Sequence, residues 1–157
     1  MIIACEQLNA RLVRSKAITK TSHPSGIFPQ TGNLLSLRKI TTMNISGSWT
    51  YNEDFEYGNS VGVVELAQTG NEVSGVFSFT EAVENNYSIQ VTEKVKGTII
   101  DGKLLLESVE VKALQNGREI SYLPNTFETH RITENQIVGS TFDSENVCGV
   151  FVLERKV

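Results

Sequence analysis

The chain of 157 residues is long enough for one domain that buries most of its unfolded surface without disulfides or metals. Its hydrophobic fraction of 39%, charged fraction of 20% and net charge of -4 are those of an ordinary globular protein, and the negative charge argues against nucleic acid as a partner. No stretch approaches the roughly 20 apolar residues of a membrane-spanning helix, and the N-terminus lacks a secretory signal pattern. We therefore expect a cytoplasmic protein with no membrane partner.

The first 43 residues differ from the rest in charge. They carry six Lys and Arg residues against the single acid Glu6, whereas eight basic and seventeen acidic residues follow. This composition is typical of organelle transit peptides, and Pro and Gly between residues 23 and 32 break any long helix. We predict a poorly ordered basic arm over 1–43 and a barrel domain over 44–157. The arm is either a targeting segment, which would place the protein in an organelle such as a plastid, or the result of a start assigned upstream of Met43.

From residue 46 onward the apolar pattern has a period of two, and turn signals recur every ten to fifteen residues, which predicts antiparallel strands. Asp101-Gly102 and Asn116-Gly117 are strong signals for tight hairpin turns. Proline at position 124 must bend or split one strand, and the apolar phase of another shifts near Glu107 or Ser108, which indicates a β-bulge. Eight strands are predicted, over 46–52, 61–68, 73–80, 87–99, 103–113, 119–132, 136–142 and 147–156.

Sequential strands with short turns and no crossover helix predict an all-β fold. An eight-stranded antiparallel up-and-down barrel has an interior just large enough for one small ligand. A sandwich of two sheets is the alternative, and the strand pattern alone does not separate the two.

Gly47-Ser48-Trp49 on the first strand and Arg155 on the last resemble the calycin group, which contains lipocalins, fatty-acid-binding proteins and avidins. The segment 70–77 is also similar to the second hairpin of avidins. The resemblance covers about residues 46–156, and it implies a barrel closed at one end by Arg155 lying over Trp49. Such stacking gains cation–π attraction.

The chain also departs from each calycin family. It has one tryptophan where avidins use several to hold biotin, and it lacks the Thr-Asp-Tyr motif of lipocalins. The segment 52–60 is too short for the helical pair of fatty-acid-binding proteins. The resemblance therefore implies a barrel and leaves its ligand open.

Candidate ligand-binding side chains lie on the predicted inner faces. Tyr51, Glu93 and Arg131 are polar residues among apolar ones, and a buried charge is costly unless it is paired. They either bind a polar head group or lie in water at the barrel mouth. Aromatic residues either line an apolar cavity or pack a filled core. The aromatic candidates are Phe77, Phe79, Tyr87, Tyr122 and Phe127.

No catalytic residue, metal site or cofactor is predicted. His130 is the only histidine beyond residue 43 and has no second His nearby, so it forms neither a metal site nor a triad. The acidic stretches 53–56 and 143–146 lack the alternating oxygen ligands and central glycine of a calcium loop. We interpret both as solvated turns.

Three functions follow from this pattern. The favoured one is a non-enzymatic barrel that binds a small apolar or amphipathic molecule, with a site opposite Trp49 and near Glu93, Tyr122 and Phe127. The second is an isomerase or cyclase acting on an oxidised lipid, in which a shaped pocket orients the substrate and Glu93 and Tyr87 are the first residues to mutate. The third is a packed barrel whose acidic face docks a basic protein. Self-association into a homo-oligomer stays open.

Overall fold

The computed structural model describes residues 43–83 and 87–157, and only the backbone of Tyr87. The predicted arm over 1–43 therefore lies outside the described residues apart from Met43. In the described part of the chain, the regular elements are all strands, and no helix is long and apolar enough to cross a membrane.

Nine strands follow one another within residues 43–83 and 87–157. They are β1 Gly47–Phe55, β2 Gly58–Thr69, β3 Glu72–Val83, β4 Tyr87–Ile100, β5 Lys103–Gln115, β6 Arg118–Ile120, β7 Thr126–Ile132, β8 Gln136–Phe142 and β9 Cys148–Arg155. Strands β1 to β5 pair antiparallel in chain order, and β5 then pairs with β7. β7 pairs with β8, β8 with β9, and β9 pairs back with β1. Eight strands thus form a closed barrel, while β6 is a short extension beside β5. The predicted up-and-down barrel is confirmed, and the alternative sandwich is excluded.

In two of the tight turns, both central residues have positive φ. Asp101 and Gly102 have φ of 52° and 77°, and Asn116 and Gly117 have φ of 50° and 74°. Hairpins favour turns of this kind because their twist matches that of the flanking strands. Both predicted turns are confirmed.

Pro124 splits the sixth predicted strand, as expected. β6 ends at Ile120 and β7 begins at Thr126, so residues 121–125 form a loop. On this side, β5 pairs with Ile120 through Ala113 and with Thr126 through Glu107, and the residues between have no strand partner. The break matters because the loop, rather than a strand, completes the barrel wall here.

Two bulges set which side chains point inward. On β5, Lys94 pairs with Glu110 and Val95 with Ser108, so Val109 is the extra residue. The bulge thus lies next to the predicted position near Glu107 or Ser108. The sequence pattern does not locate it more closely, because Ser108 is a polar residue on the inner face and interrupts the alternation of apolar residues.

The second bulge corrects the inward position expected for Arg131. On β7, Thr129 pairs with Gly139 and Arg131 with Val138, so His130 is the extra residue. One added residue reverses the alternation of a strand. Arg131 is consequently exposed, and its guanidinium donates a hydrogen bond to Gln136.

Aromatic rings fill the middle of the barrel. Phe77 and Phe127 stack with centroids 4.3 Å apart, and Tyr51 meets the edge of Phe77 at 5.3 Å. Phe79 and Phe151 pack against the same tyrosine at 5.3 Å and 6.4 Å. Such ring pairs add to the free energy gained from burying apolar area. These residues form an aromatic layer that separates the two ends of the barrel.

Candidate functional site

One end of the barrel is closed by an arginine and a tryptophan. The guanidinium carbon of Arg155 lies 4.2 Å from the centroid of the buried Trp49 ring, in cation–π geometry. Gly47 makes room for this contact, because a Cβ at its position would lie 3.1 Å from Nη1 of Arg155. Its φ of 129° is also one that side chains rarely adopt. The structure therefore brings together all three residues that the calycin resemblance pairs.

Arg155 also ties the strand ends together. Its Nε donates to the carbonyl of Glu134 at 2.6 Å, and its two terminal nitrogens donate to Ser46 at 2.9 Å and Asn44 at 3.1 Å. A planar guanidinium holds five donors in a rigid fork and can stack on a ring at the same time, whereas a lysine ammonium is a point charge with three donors. This closed end is therefore occupied by structural contacts.

The opposite end holds a cavity of about 300 Å³, which we call the open-end cavity. Its walls come from one end of β1, β3, β4, β8 and β9 and from the loops that follow β1, β6 and β8. The apolar and aromatic lining residues are Phe55, Tyr57, Val83, Ile89, Ile120, Tyr122, Leu123 and Val147. The others are Glu53, Glu81, Ser121, Asn125, Thr141, Asp143 and Gly149.

Glu53 lies on the inner face of β1 and lines this cavity, although the sequence pattern assigned it to a solvated turn. It is only 8% exposed and accepts a hydrogen bond from the Tyr51 hydroxyl at 2.5 Å and another from Thr141. β1 runs to Phe55, so the alternation of Trp49 and Tyr51 simply continues. That continuation was the signal that could have identified Glu53.

Glu81 and Tyr122 form a second polar pair in the cavity wall. The Tyr122 hydroxyl donates to Oε2 of Glu81 at 2.5 Å, and this bond attaches the loop 121–125 to β3. Glu81 was also missed, because it follows the inner face of β3 beyond the predicted end of that strand at residue 80.

Glu93 is fully buried between Phe77 and Val111, its partners on the neighbouring strands. Its carboxylate accepts hydrogen bonds from Ser108 Oγ at 2.8 Å and from Asn125 Nδ2 at 3.1 Å. Glu93 does not itself line the open-end cavity. Asn125 does, so the buried carboxylate is linked to the cavity wall through one amide.

Burial dominates the acidity of these groups. Desolvation raises the pKa of Glu93 to about 7, against the opposing effect of its hydrogen bond from Ser108. Desolvation likewise raises the pKa of Glu53 and of Glu81, while their hydroxyl donors act in the opposite direction. The barrel interior therefore holds carboxyl groups that take up protons more readily than carboxyl groups in water.

The charge of the cavity wall has one sign. Three acidic residues line it, namely Glu53, Glu81 and Asp143, and none of the described lining residues is Lys, Arg or His. Within residues 43–83 and 87–157, no three His, Cys, Asp or Glu side chains are grouped as a metal site would require. The arrangement can accept hydrogen bonds and positive charge.

The structure distributes the sequence-predicted binding residues over three places. Tyr122 lines the open-end cavity, while Tyr51, Phe77, Phe79 and Phe127 belong to the aromatic layer. Glu93 is buried beside its two donors, and Arg131 is on the surface. Nothing is described of the Tyr87 side chain. The role of these residues in binding stays a prediction.

No family model matches the chain, and no curated protein matches it. Among solved structures, a redesigned β-barrel, mFAP1, bound to DFHBI, is similar with a TM-score of 0.52 and 14% identity over 70% of this chain and 94% of that one. A related redesigned barrel, mFAP0, also bound to DFHBI, gives 0.51 and 12% over 70% and 97%. At these identities the likeness is one of fold, and it places the chain among closed antiparallel β-barrels.

Proposed function

We propose that this protein binds a small amphipathic molecule in the open-end cavity, without catalysing a reaction. The cavity itself is the observation that carries the proposal. Its volume of about 300 Å³ is at the lower end for small-molecule sites, and its walls combine aromatic and aliphatic side chains with a few polar groups, as such sites do. The likeness to designed barrels bound to DFHBI supports the use of this fold as a container.

The other two functions gain less support. A barrel filled from end to end, acting only as a docking module, would lack such a cavity. An isomerase or cyclase built on Glu93 would need its carboxylate at the substrate, yet both of its oxygens already accept hydrogen bonds from Ser108 and Asn125. A cytoplasmic location and a homo-oligomeric state remain predictions.

Membership of the calycin group is also a proposal. It is supported by the contact between Arg155 and Trp49 and by the space that Gly47 leaves for it. Close homologues that keep the barrel but replace both Gly47 and Trp49 would contradict it.

A cavity-filling substitution tests the proposed site. Val147 lines the cavity, whereas Val150 is 57% exposed on β9 and does not line it, so Val147→Trp and Val150→Trp are a matched pair. Binding of a fluorescent dye sensitive to polarity should be lost in Val147→Trp and unchanged in Val150→Trp. Equal dye binding by both variants, or no binding by the parent protein, would count against the cavity as a site.

A further inference from the structure

The acceptors of the open-end cavity outnumber the donors that reach them. Oε2 of Glu81 receives the Tyr122 hydroxyl, and Oδ1 of Asp143 receives the backbone N–H groups of Glu145 and Val147 at 2.8 Å and 3.0 Å. The second oxygen of each carboxylate has no hydrogen-bond donor among the described residues. Two carboxylate oxygens are therefore available to a ligand.

A buried hydroxyl beside Glu53 is also without a partner. Ser60 is 0% exposed and pairs with Glu53 across β1 and β2, so its side chain lies on the interior side of the sheet. It is near enough to Glu53 to lower the pKa of that carboxyl, yet Oγ makes no hydrogen bond of ordinary geometry with any described residue. Ser60 does not itself line the cavity, and a hydroxyl can both donate and accept, so it adds a polar group beside Glu53 behind the cavity wall.

The rest of the wall suits a cation with an apolar body. Phe55, Tyr57 and Tyr122 present aromatic rings, whose faces attract positive charge, and Val83 and Ile89 supply aliphatic surface. An anionic ligand would meet three carboxylates and no opposing charge from the described lining. A metal ion would find no group of three suitable ligands in the described residues.

We propose that the ligand class is a protonated organic amine, whose ammonium group donates to the free oxygens of Glu81 and Asp143. This inference rests on the proposed function, since it names the ligand of the same cavity. The ammonium supplies both the positive charge and the hydrogen-bond donors that the wall lacks, while the organic body fills the aromatic part.

Three probes with one body and different head groups test the inference. These are 2-(1-naphthyl)ethylamine, 2-(1-naphthyl)ethanol and 1-naphthylacetate, titrated at pH 7.5 by calorimetry and by naphthyl fluorescence. We expect the amine to bind at least about tenfold more tightly than the alcohol, because it adds one attractive charge interaction in a partly buried site. The carboxylate should bind most weakly.

Two variants of equal charge change connect the preference to the cavity. Glu81→Gln should weaken amine binding about tenfold and leave alcohol binding nearly unchanged. Glu154→Gln, an exposed position on β9 outside the cavity, should change neither. The comparison of probes on the unmodified protein needs no variant, so it stands even if Glu81→Gln fails to fold.

The outcomes separate the two proposals. Binding of the alcohol as tightly as the amine would overturn the inference and leave the container function intact. Binding of none of the three probes would count against both. An amine preference that Glu154→Gln removes as fully as Glu81→Gln would also overturn the inference, because it would reflect the overall negative charge.

Discussion

The hydroxyl of Tyr122 donates a hydrogen bond of 2.5 Å to Oε2 of Glu81, a residue 41 positions earlier in the chain. Because Tyr122 belongs to the loop that replaces part of a strand, this bond holds the loop to β3 at the wall of the open-end cavity. This phenol therefore fixes the loop position and the cavity shape together with the hydrogen bond from Asn125 to Glu93.

Tyr122→Phe should lower the free energy of unfolding by about 1–2 kcal/mol, since a hydrogen bond to a charged group is lost in a partly buried site. The same hydrogen bond lowers the pKa of Glu81, so its removal should raise that pKa further. Urea unfolding and an NMR titration of the glutamate carboxyl carbons would measure both. Tyr57→Phe, at a 53% exposed tyrosine of the same cavity, is the control and should change stability by less than about 0.5 kcal/mol. An unchanged Glu81 titration would disprove the link.

Arg155→Lys should destabilise the barrel by roughly 1–3 kcal/mol, because an ammonium cannot stack on Trp49 and reach three carbonyl oxygens together. Arg131→Lys is the matched control on the surface, with an expected change within about 0.5 kcal/mol. Chemical denaturation of both variants gives the comparison, and similar midpoints for the two would show that the arginine at the closed end is dispensable.

Because of the raised pKa of Glu93, we expect the free energy of unfolding to fall as pH rises. Its pKa in the folded protein, about 7, lies above its ordinary value of 4.5, so the folded state holds the proton more tightly. The resulting stabilisation is complete below about pH 4.5 and is lost as pH increases through 7, by an amount on the order of 3 kcal/mol. The raised pKa values of Glu53 and Glu81 act in the same direction.

Glu93→Gln should therefore flatten, without abolishing, the decrease in unfolding free energy between pH 5 and pH 8. Urea titrations at four pH values in this range would measure the slope of unfolding free energy against pH. Glu154→Gln, at an exposed position, is the control and should have the same slope as the parent protein. A slope in Glu93→Gln as steep as that of the parent protein would mean that Glu93 titrates normally.

Gly149 and Glu53 should be energetically coupled. A Cβ at Gly149 would lie 2.1 Å from Oε1 of Glu53 and 2.7 Å from Oγ1 of Thr141, so Gly149→Ala forces the buried carboxylate to move. We expect a cost of roughly 1–3 kcal/mol in the parent protein and a smaller one in Glu53→Ala, where the obstructing oxygen is gone. Thermal unfolding of the two single variants and the double variant completes the cycle. Strict additivity of the three values would rule out the coupling.

Most of the fold could be predicted from the sequence, because the signals for strands and turns lie in short stretches of neighbouring residues. The period of two, the turns at Asp101-Gly102 and Asn116-Gly117 and the break at Pro124 all lie within a few residues of the structure that they determine. Barrel closure is different, since it depends on pairing between β1 and β9, which are about a hundred residues apart. Only the resemblance built on Trp49 and Arg155 favoured it.

The site was harder to predict than the fold. Arg131 was placed on the wrong face because a bulge at His130 shifts the alternation by one residue, and bulges leave a weak trace in a sequence. Glu53 and Glu81 were missed because an acidic residue near a strand end resembles a solvated turn. What buries them is the packing of Thr141 and Tyr122, which are distant in the chain.

The aromatic layer around Tyr51 and Phe77 divides the molecule along its axis into regions with different tolerance to mutation. Below it, Trp49 and Arg155 hold the strand ends together, so substitutions there should reduce the amount of folded protein. Above it, the exposed lining residues Tyr57 and Val147 make no contact with Trp49 or Arg155, so they can be replaced together while the fold persists. A saturation library selected first for expression should consequently retain its diversity at Tyr57 and Val147, which makes the rim of the open end the region from which new binding specificities can be evolved.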